Sequence, residues 1–268
     1  MFDIDIGENA FEHLELLTER SRAQVTLAIL KQHIKPGMSV LDLGCGALGT
    51  FAIAAAKLGA TRVVAVDQVR TDIAQAVARD NGIEFIEWVE SKIEQLPDLG
   101  KFDVIVSFIW VDTPWENEQI LNTYRDAIDR FSTSKSIVIP NRIELTTIAL
   151  GITAETVNDR IQAAEQDTCI SLTFLHDRIF SPMHRLSLQN RIEKEELSYP
   201  TVYKMPVIIT KDGYLTGFKW ISRLYFQDVV LRTATTISGA VHRHQVKVGD
   251  VVNTCIPDMR FNIDVTIT

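Results

Sequence analysis

The stretch Val40-Leu41-Asp42-Leu43-Gly44-Cys45-Gly46-Ala47-Leu48-Gly49 decides how this chain is read. It opens as a short apolar run, passes through three glycines, and leads into the alanine-rich segment Gly49–Leu58. That order predicts a strand, a tight turn and a helix. Glycines at such a turn let a ligand approach the backbone, and the first turn of the helix offers N–H groups with no partner inside it.

Working outward, the same alternation continues. Strands are predicted at Ser39–Leu43, Arg62–Val66, Ile83–Trp88, Phe102–Phe108 and Ser136–Ile139, and helices at Gly49–Leu58, Thr71–Arg79 and Glu116–Arg130. Strands alternating with helices argue for a parallel sheet covered on both faces. Upstream, residues 9–34 read as a helix, with Leu14, Leu17, Val25, Ala28 and Ile29 at helical spacing, stopped by Lys35-Pro36-Gly37. The texture changes near Pro140-Asn141. One further helix is predicted around Ala154–Glu165, and β-branched runs then dominate at Val207–Thr210, Leu215–Phe226, Val229–Thr235, Val246–Val248 and Ile263–Thr268. Lys211-Asp212-Gly213, Ser238-Gly239 and Gly249-Asp250 read as the turns between them. The expected class is α/β: an N-terminal helical segment (1–37), a Rossmann-like parallel-sheet domain (38–140), and an antiparallel β-barrel-like domain (141–268).

Composition narrows the function. The 268 residues are 46% apolar and 23% charged, enough for a sizeable core and unlike a disordered chain. A formal net charge of −8 disfavours non-specific nucleic-acid binding; it would suit a cationic substrate, and it reads equally as the mild acidity that serves solubility alone. Cys45, Cys169 and Cys255 are widely spaced, with no CxxC pair, so neither a disulfide framework nor a structural metal site is expected. The acidic N-terminus lacks the basic start of a signal peptide, and no apolar run is long enough to span a bilayer. The expectation is a cytoplasmic protein with no membrane partner.

Two acids point to the cofactor. Asp67 closes the strand after the glycine turn, placed to accept from both hydroxyls of an adenosine ribose. Asp42 sits two residues before Gly44, where a buried acid would oppose a pyrophosphate. Asp42 therefore favours S-adenosylmethionine over a dinucleotide, with Asp42, Gly44 and Gly46 at its methionine half, whereas an acid at Asp67 suits either cofactor. In Ser91-Lys92-Ile93-Glu94, the Ile93 N–H and the Glu94 carboxylate are candidates for reading adenine; alone, Glu94 also reads as a solvated surface acid.

These residues resemble the class I S-adenosylmethionine-dependent methyltransferases and, within them, the protein arginine methyltransferases. Val40–Gly49 is similar to the family's VLDVGCGTG with one extra residue, and Ser91–Glu94 to its GKVE. His13–Arg22 has the spacing of its HEEMLxDxxR helix; the resemblance makes Arg22 the ligand of the cofactor carboxylate, whereas the residues alone read as an ordinary amphipathic helix. Ile137–Arg142 resembles the IxPD strand leading into the family's barrel. Asp212–Phe218, Val241–Gln245 and Met259–Val265 resemble pieces of that barrel. The resemblance implies a homodimer through an arm at about 153–180, where similarity is weakest.

The resemblance also implies a loop with two glutamates holding a guanidinium. Here the loop is Ser107-Phe108-Ile109-Trp110-Val111-Asp112-Thr113-Pro114-Trp115-Glu116. Glu116 aligns with the second glutamate and Phe108 replaces the first, leaving Asp112 and Glu118 as the nearby acids. His242 falls at the family's histidine, and Trp110 and Trp115 read either as pocket walls or as core. Catalytic candidates are thus Glu116, His242 and Asp112. The implied acceptor is a guanidino or amino nitrogen of a basic peptide, protein or small molecule. The competing readings are a methyltransferase-like binding partner with an impaired acceptor site, and a nucleotide-dependent oxidoreductase.

Overall fold

The computed structural model describes Leu14, Leu17 and residues 20–111, 114–172, 194–258 and 262–267. The chain divides into two compact units, Met1–Ile143 with Arg223–Ala234, and Glu144–Ser222 with Thr235–Thr268.

The first unit is built on a five-stranded sheet. Its strands are β1 (Ser39–Leu43), β2 (Arg62–Asp67), β3 (Glu87–Glu90), β4 (Val104–Ser107) and β5 (Ile137–Ile139), in the order β3-β2-β1-β4-β5. Every pairing is parallel, with Asp42 beside Ala65 on one side and Val106 on the other. The helices between them are α1 (Arg20–His33), α2 (Thr50–Lys57), α3 (Asp72–Asp80) and α4 (Pro114–Phe131). The strand period of two divides the apolar residues between two cores. Val40, Val63, Ala65, Val104 and Val106 pack with Ile29 and Leu30 of α1 and Ala52, Ala55 and Ala56 of α2. Leu41, Leu43, Val64, Val66 and Ile105 pack with Ile93, Leu96, Ala127 and Phe131. Both faces are covered, which is why these strands read as continuous apolar runs.

Strand β3 starts later than its sequence suggests. Helix α3 ends at Asp80; beyond it Gly82 takes φ +72° and the Ile83 N–H donates to Ala78 O at 2.9 Å, closing a left-handed C-terminal turn. Ile83 and Ile86 are spent filling the core, and ladder pairing begins only at Glu87 opposite Val64.

The remaining strands form an eight-stranded sheet. They are β6 (Arg142–Ile152), β7 (Glu195–Glu196), β8 (Thr201–Val202), β9 (Val207–Ile208), β10 (Gly213–Phe226), β11 (Val229–Val246), β12 (Val251–Asp258) and β13 (Asn262–Ile267). The order is β7-β6-β10-β11-β13-β12-β9, with β8 also on β6. β6 pairs antiparallel with β7 and β8, and β12 with β13 and β9; one parallel bridge joins Ala240 of β11 to Ile263 of β13. In the second unit Trp220, Phe218, Leu215, Leu197 and Ile209 are fully buried. Helix α5 (Ala154–Thr168) is capped by Thr153, whose Oγ1 accepts from Thr156 N at 3.2 Å.

The α/β class is as expected, a Rossmann-like parallel sheet followed by a curled, mainly antiparallel one. Three local readings are corrected. Ser238-Gly239 is not a turn but lies within β11, where an extended ladder overrides the dipeptide's turn preference. The eleven-residue strand β6 and strand β12 were not legible as strands. Val246 ends β11, while Lys247-Val248 lie in the turn that follows.

Candidate functional site

The C-terminal ends of β1, β2 and β4 bring the candidate residues of the first unit together. In the glycine turn, Gly44 N and Cys45 N both donate to Val66 O, at 2.8 and 3.0 Å, so the turn is tied to the neighbouring strand. Gly44 (φ +75°) and Gly49 (φ +56°) take the left-handed backbone that glycine adopts without penalty. Both also have no room for a side chain: a Cβ on Gly44 would lie 2.3 Å from Ile109 Cγ2, and one on Gly49 2.6 Å from the Trp88 ring.

Asp42 is fully buried. Its Oδ2 accepts from Ala52 N at 2.9 Å, capping the first turn of α2, whose own N-cap residue Gly49 has no side chain to do so. Its Oδ1 has no hydrogen-bond partner. Burial raises this carboxyl from 3.8 to about 7; the bond from Ala52 opposes the rise, and the charge of Asp67 adds to it. Asp67 Oδ2 accepts from Gly46 N at 2.8 Å and Oδ1 from Val69 N at 3.1 Å. Each carboxylate oxygen retains further acceptor capacity. Cys45, buried in the same turn, has its thiol pushed far up, chiefly by burial.

Around the next strand end, Glu90 Oε1 accepts from Thr71 N and Oγ1 at 2.8 and 3.1 Å. Ile93 is buried and opens a short 3₁₀ turn. Glu94 is exposed and accepts from Thr123 Oγ1 of α4 at 2.6 Å, which is the main cause of its lowered pKa. Its carboxylate thus already has a partner on α4.

The loop after β4 is held at several points. Ser107 Oγ donates to Leu43 O at 2.9 Å, joining it to the end of β1. Phe108 is buried and packs on Phe51, ring centres 5.1 Å apart. Trp110 is buried edge-on to Tyr124 at 5.2 Å, and Tyr124 Oη donates to Pro140 O at 2.7 Å. Trp110 therefore belongs to the core. Asn117 is buried, and its side chain both accepts from Val111 N (3.0 Å) and donates to Val111 O (2.7 Å). Arg232 Nη1 donates to Trp110 O at 2.8 Å. Glu116 stands exposed in the first turn of α4.

Asp42, Gly44, Gly46 and Asp67 lie together around one turn, with Ile93 and Glu94 beyond the neighbouring strand β3. Arg22 lies on α1 and His242 on β11, in different units, and their side chains are outside the described residues, as is Asp112 altogether. Ser107, Asn117, Glu90 and Arg232 were not anticipated. A polar residue ending an apolar strand was the one visible signal, at Ser107. Among the described residues no group of three or more His, Cys, Asp or Glu is placed to hold a metal ion, and no helix is long and apolar enough to cross a membrane.

The donor and acceptor set fits S-adenosylmethionine. An unpartnered buried carboxyl oxygen on Asp42 and the Asp67 carboxylate bonded to the turn call for donors and positive charge, and disfavour a pyrophosphate. Comparisons with known proteins agree. Residues 21–116 match the family model described as "Ribosomal protein L11 methyltransferase (PrmA)". The ribosomal protein L11 methyltransferase of Thermotoga maritima is 37% identical over 112 residues, covering 39% of this chain and 40% of that protein. The Thermus thermophilus protein of the same name is 33% identical over 106 residues, again 39% and 40%. The match thus spans about two fifths of these relatives. Among solved structures, Arabidopsis thaliana protein arginine methyltransferase 10 superposes with a TM-score of 0.59 at 18% identity, covering 91% of this chain and 86% of that one. The Trypanosoma brucei PRMT1 enzyme–prozyme complex with AdoHcy gives 0.59 at 16%, covering 95% and 92%. Over nearly the whole chain the fold is like that of the protein arginine methyltransferase structures. The family model of the L11 enzymes matches residues within the first unit.

Proposed function

We propose that the chain is an S-adenosylmethionine-dependent N-methyltransferase acting on an amino or guanidino nitrogen of a protein or peptide. The observation that carries this reading is the glycine turn after β1, pinned by Asp67 to Gly46 and underlain by the unpartnered oxygen of Asp42. When bound, S-adenosylmethionine supplies an electrophilic methyl group on a sulfonium sulfur. Asp67 has acceptor capacity left for the ribose hydroxyls. Asp42, poised near neutrality, favours a positively charged neighbour, and Gly44 and Gly46 allow close approach. Arg22 would pair with the cofactor carboxylate, and Ile93 and Glu94 would border the adenine. Asp112 and His242 are the further candidates for orienting the acceptor or taking its proton. Glu116, exposed at the start of α4, holds the acceptor nitrogen with its lone pair aimed along the line of transfer, where orientation governs the rate.

Purified ribosomal protein L11, named for the relatives, and an arginine-rich peptide are the first acceptors to try with methyl-labelled S-adenosylmethionine. Glu116→Gln should abolish label transfer while calorimetry shows unchanged cofactor binding; full transfer by that variant would remove Glu116 from the mechanism. The second reading, a binding partner with an impaired acceptor site, draws on Phe108: the position of the first glutamate is occupied by a ring buried against Phe51. Failure of the wild-type chain to bind S-adenosylmethionine would favour it, and binding of NAD instead would revive the oxidoreductase.

A further inference from the structure

We propose that Asn117 is a positioning residue that fixes the loop after β4 over the glycine turn and thereby orients its chain neighbour Glu116 towards the acceptor. The inference rests on the methyltransferase reading for the acceptor, but the loop-fixing itself does not.

The geometry is specific. Asn117 is 2% exposed, and both ends of its amide are used on a single residue, accepting from Val111 N at 3.0 Å and donating to Val111 O at 2.7 Å. A carboxamide offers an acceptor and a donor on separate atoms of one short, neutral side chain; ionised aspartate supplies acceptors alone and alanine neither. Two part-buried hydrogen bonds therefore cross from α4 to Val111 in the loop. The residue before Val111 is held from elsewhere, Trp110 O accepting from Arg232 Nη1 at 2.8 Å. Ile109 closes the chain of contacts, its Cγ2 occupying the space that a side chain on Gly44 would need. A shift of Val111 would thus be felt both at the glycine turn and at α4. On the helix, Asn117 faces inward and Glu116 outward, so the inward bond sets the rotation of the turn that presents Glu116.

The test compares wild type, Asn117→Ala and Asn117→Asp in the full chain. The probes are S-adenosylhomocysteine for binding, and L11 or the arginine-rich peptide for turnover. For Asn117→Ala the expected result is amide exchange in residues 108–111 faster by about tenfold or more, since the Val111 N–H loses its acceptor. Binding of S-adenosylhomocysteine should stay within about threefold, while kcat falls at least about tenfold with little change in acceptor KM, the pattern of lost orientation. Asn117→Asp should recover part of the lost kcat as the pH is lowered, because the protonated acid regains a donor for Val111 O. Wild-type exchange in the alanine variant would overturn the proposal. So would equal loss of cofactor affinity and turnover, or an Asp variant with no pH-dependent recovery. If neither acceptor takes label, the exchange measurement decides: slowing of residues 108–111 by S-adenosylhomocysteine in wild type, lost in Asn117→Ala, is expected, and its persistence in the variant overturns the proposal. Absence of S-adenosylhomocysteine binding by wild type counts against the functional reading instead, and the unliganded exchange comparison still judges Asn117.

Discussion

Asp42 serves two ends at once. One oxygen replaces the capping side chain that Gly49 cannot provide, and the other is kept in the interior without a partner. Its carboxyl is raised by burial, with Asp67 reinforcing the shift, from 3.8 to about 7. Between those values the folded chain retains a proton that the unfolded chain has released. Stability is therefore fullest at the acid end of the window and declines as pH rises towards 7, by on the order of a few kcal/mol. Asp42→Asn keeps an acceptor for Ala52 and removes the titration. Urea unfolding of the ligand-free protein at pH 5 and pH 8 should show a loss of stability in wild type that is clearly smaller in the variant. An equal loss in both would mean that Asp42 is ionised across the range. Residue chemistry of this kind was partly readable beforehand. An acid between Leu41 and Leu43 in an apolar strand is conspicuous, but its bond to Ala52, ten residues on, needs the helix folded back against the strand.

Elements show the same division. Strands β1, β2 and β4 were legible because both their faces are buried and nearly every residue is apolar. Strand β6 was not, since its first half, Arg142-Ile143-Glu144-Leu145-Thr146-Thr147, mixes charged, apolar and hydroxyl side chains; the strand pairs with β7, β8 and β10. Helix α5 lies between these extremes. Its periodicity is visible, but its start depends on Thr153, which accepts from Thr156 N while its hydroxyl donates to Glu195 Oε1 at 3.0 Å. Glu195 also accepts from Thr156 Oγ1, the chief reason its pKa is lowered. Thr153→Ala should lower the stability of the second unit by about 1 kcal/mol or somewhat more, as for other lost caps. Thermal melting followed by circular dichroism would detect it; an unchanged melting curve would place the start of α5 elsewhere.

For the whole molecule, the net charge of −8 bears on the partner. An acidic protein acting on a basic peptide is drawn to it by a field that salt screens, while a buried cofactor contact is screened far less. Raising ionic strength from about 50 to 300 mM should therefore raise KM for an arginine-rich acceptor several-fold and leave S-adenosylmethionine binding nearly constant. Parallel weakening of both would point to cofactor electrostatics instead. The comparisons divide in a corresponding way: the L11 methyltransferase family model matches residues 21–116 and its named relatives align over about two fifths of the chain, whereas likeness of fold to the arginine methyltransferases extends over nearly the whole chain.

The amino-acid order alone determined the alternating strands and helices, the glycine turn, and the acids at the ends of the first two strands, because each is a local matter of periodicity or of a residue type with few conformational alternatives. Only the tertiary structure decided that Phe108 and Trp110 are core, that Glu94 is engaged by Thr123, and that Asn117 and Arg232 hold the loop after β4. The Thr123–Glu94 and Arg232–Trp110 bonds join residues 29 and 122 positions apart, so their geometry exists only once the sheet has brought distant segments together. Asn117 is six positions from Val111, yet its side chain can bond both the N–H and the C=O of that residue only because the packing of α4 turns it inward.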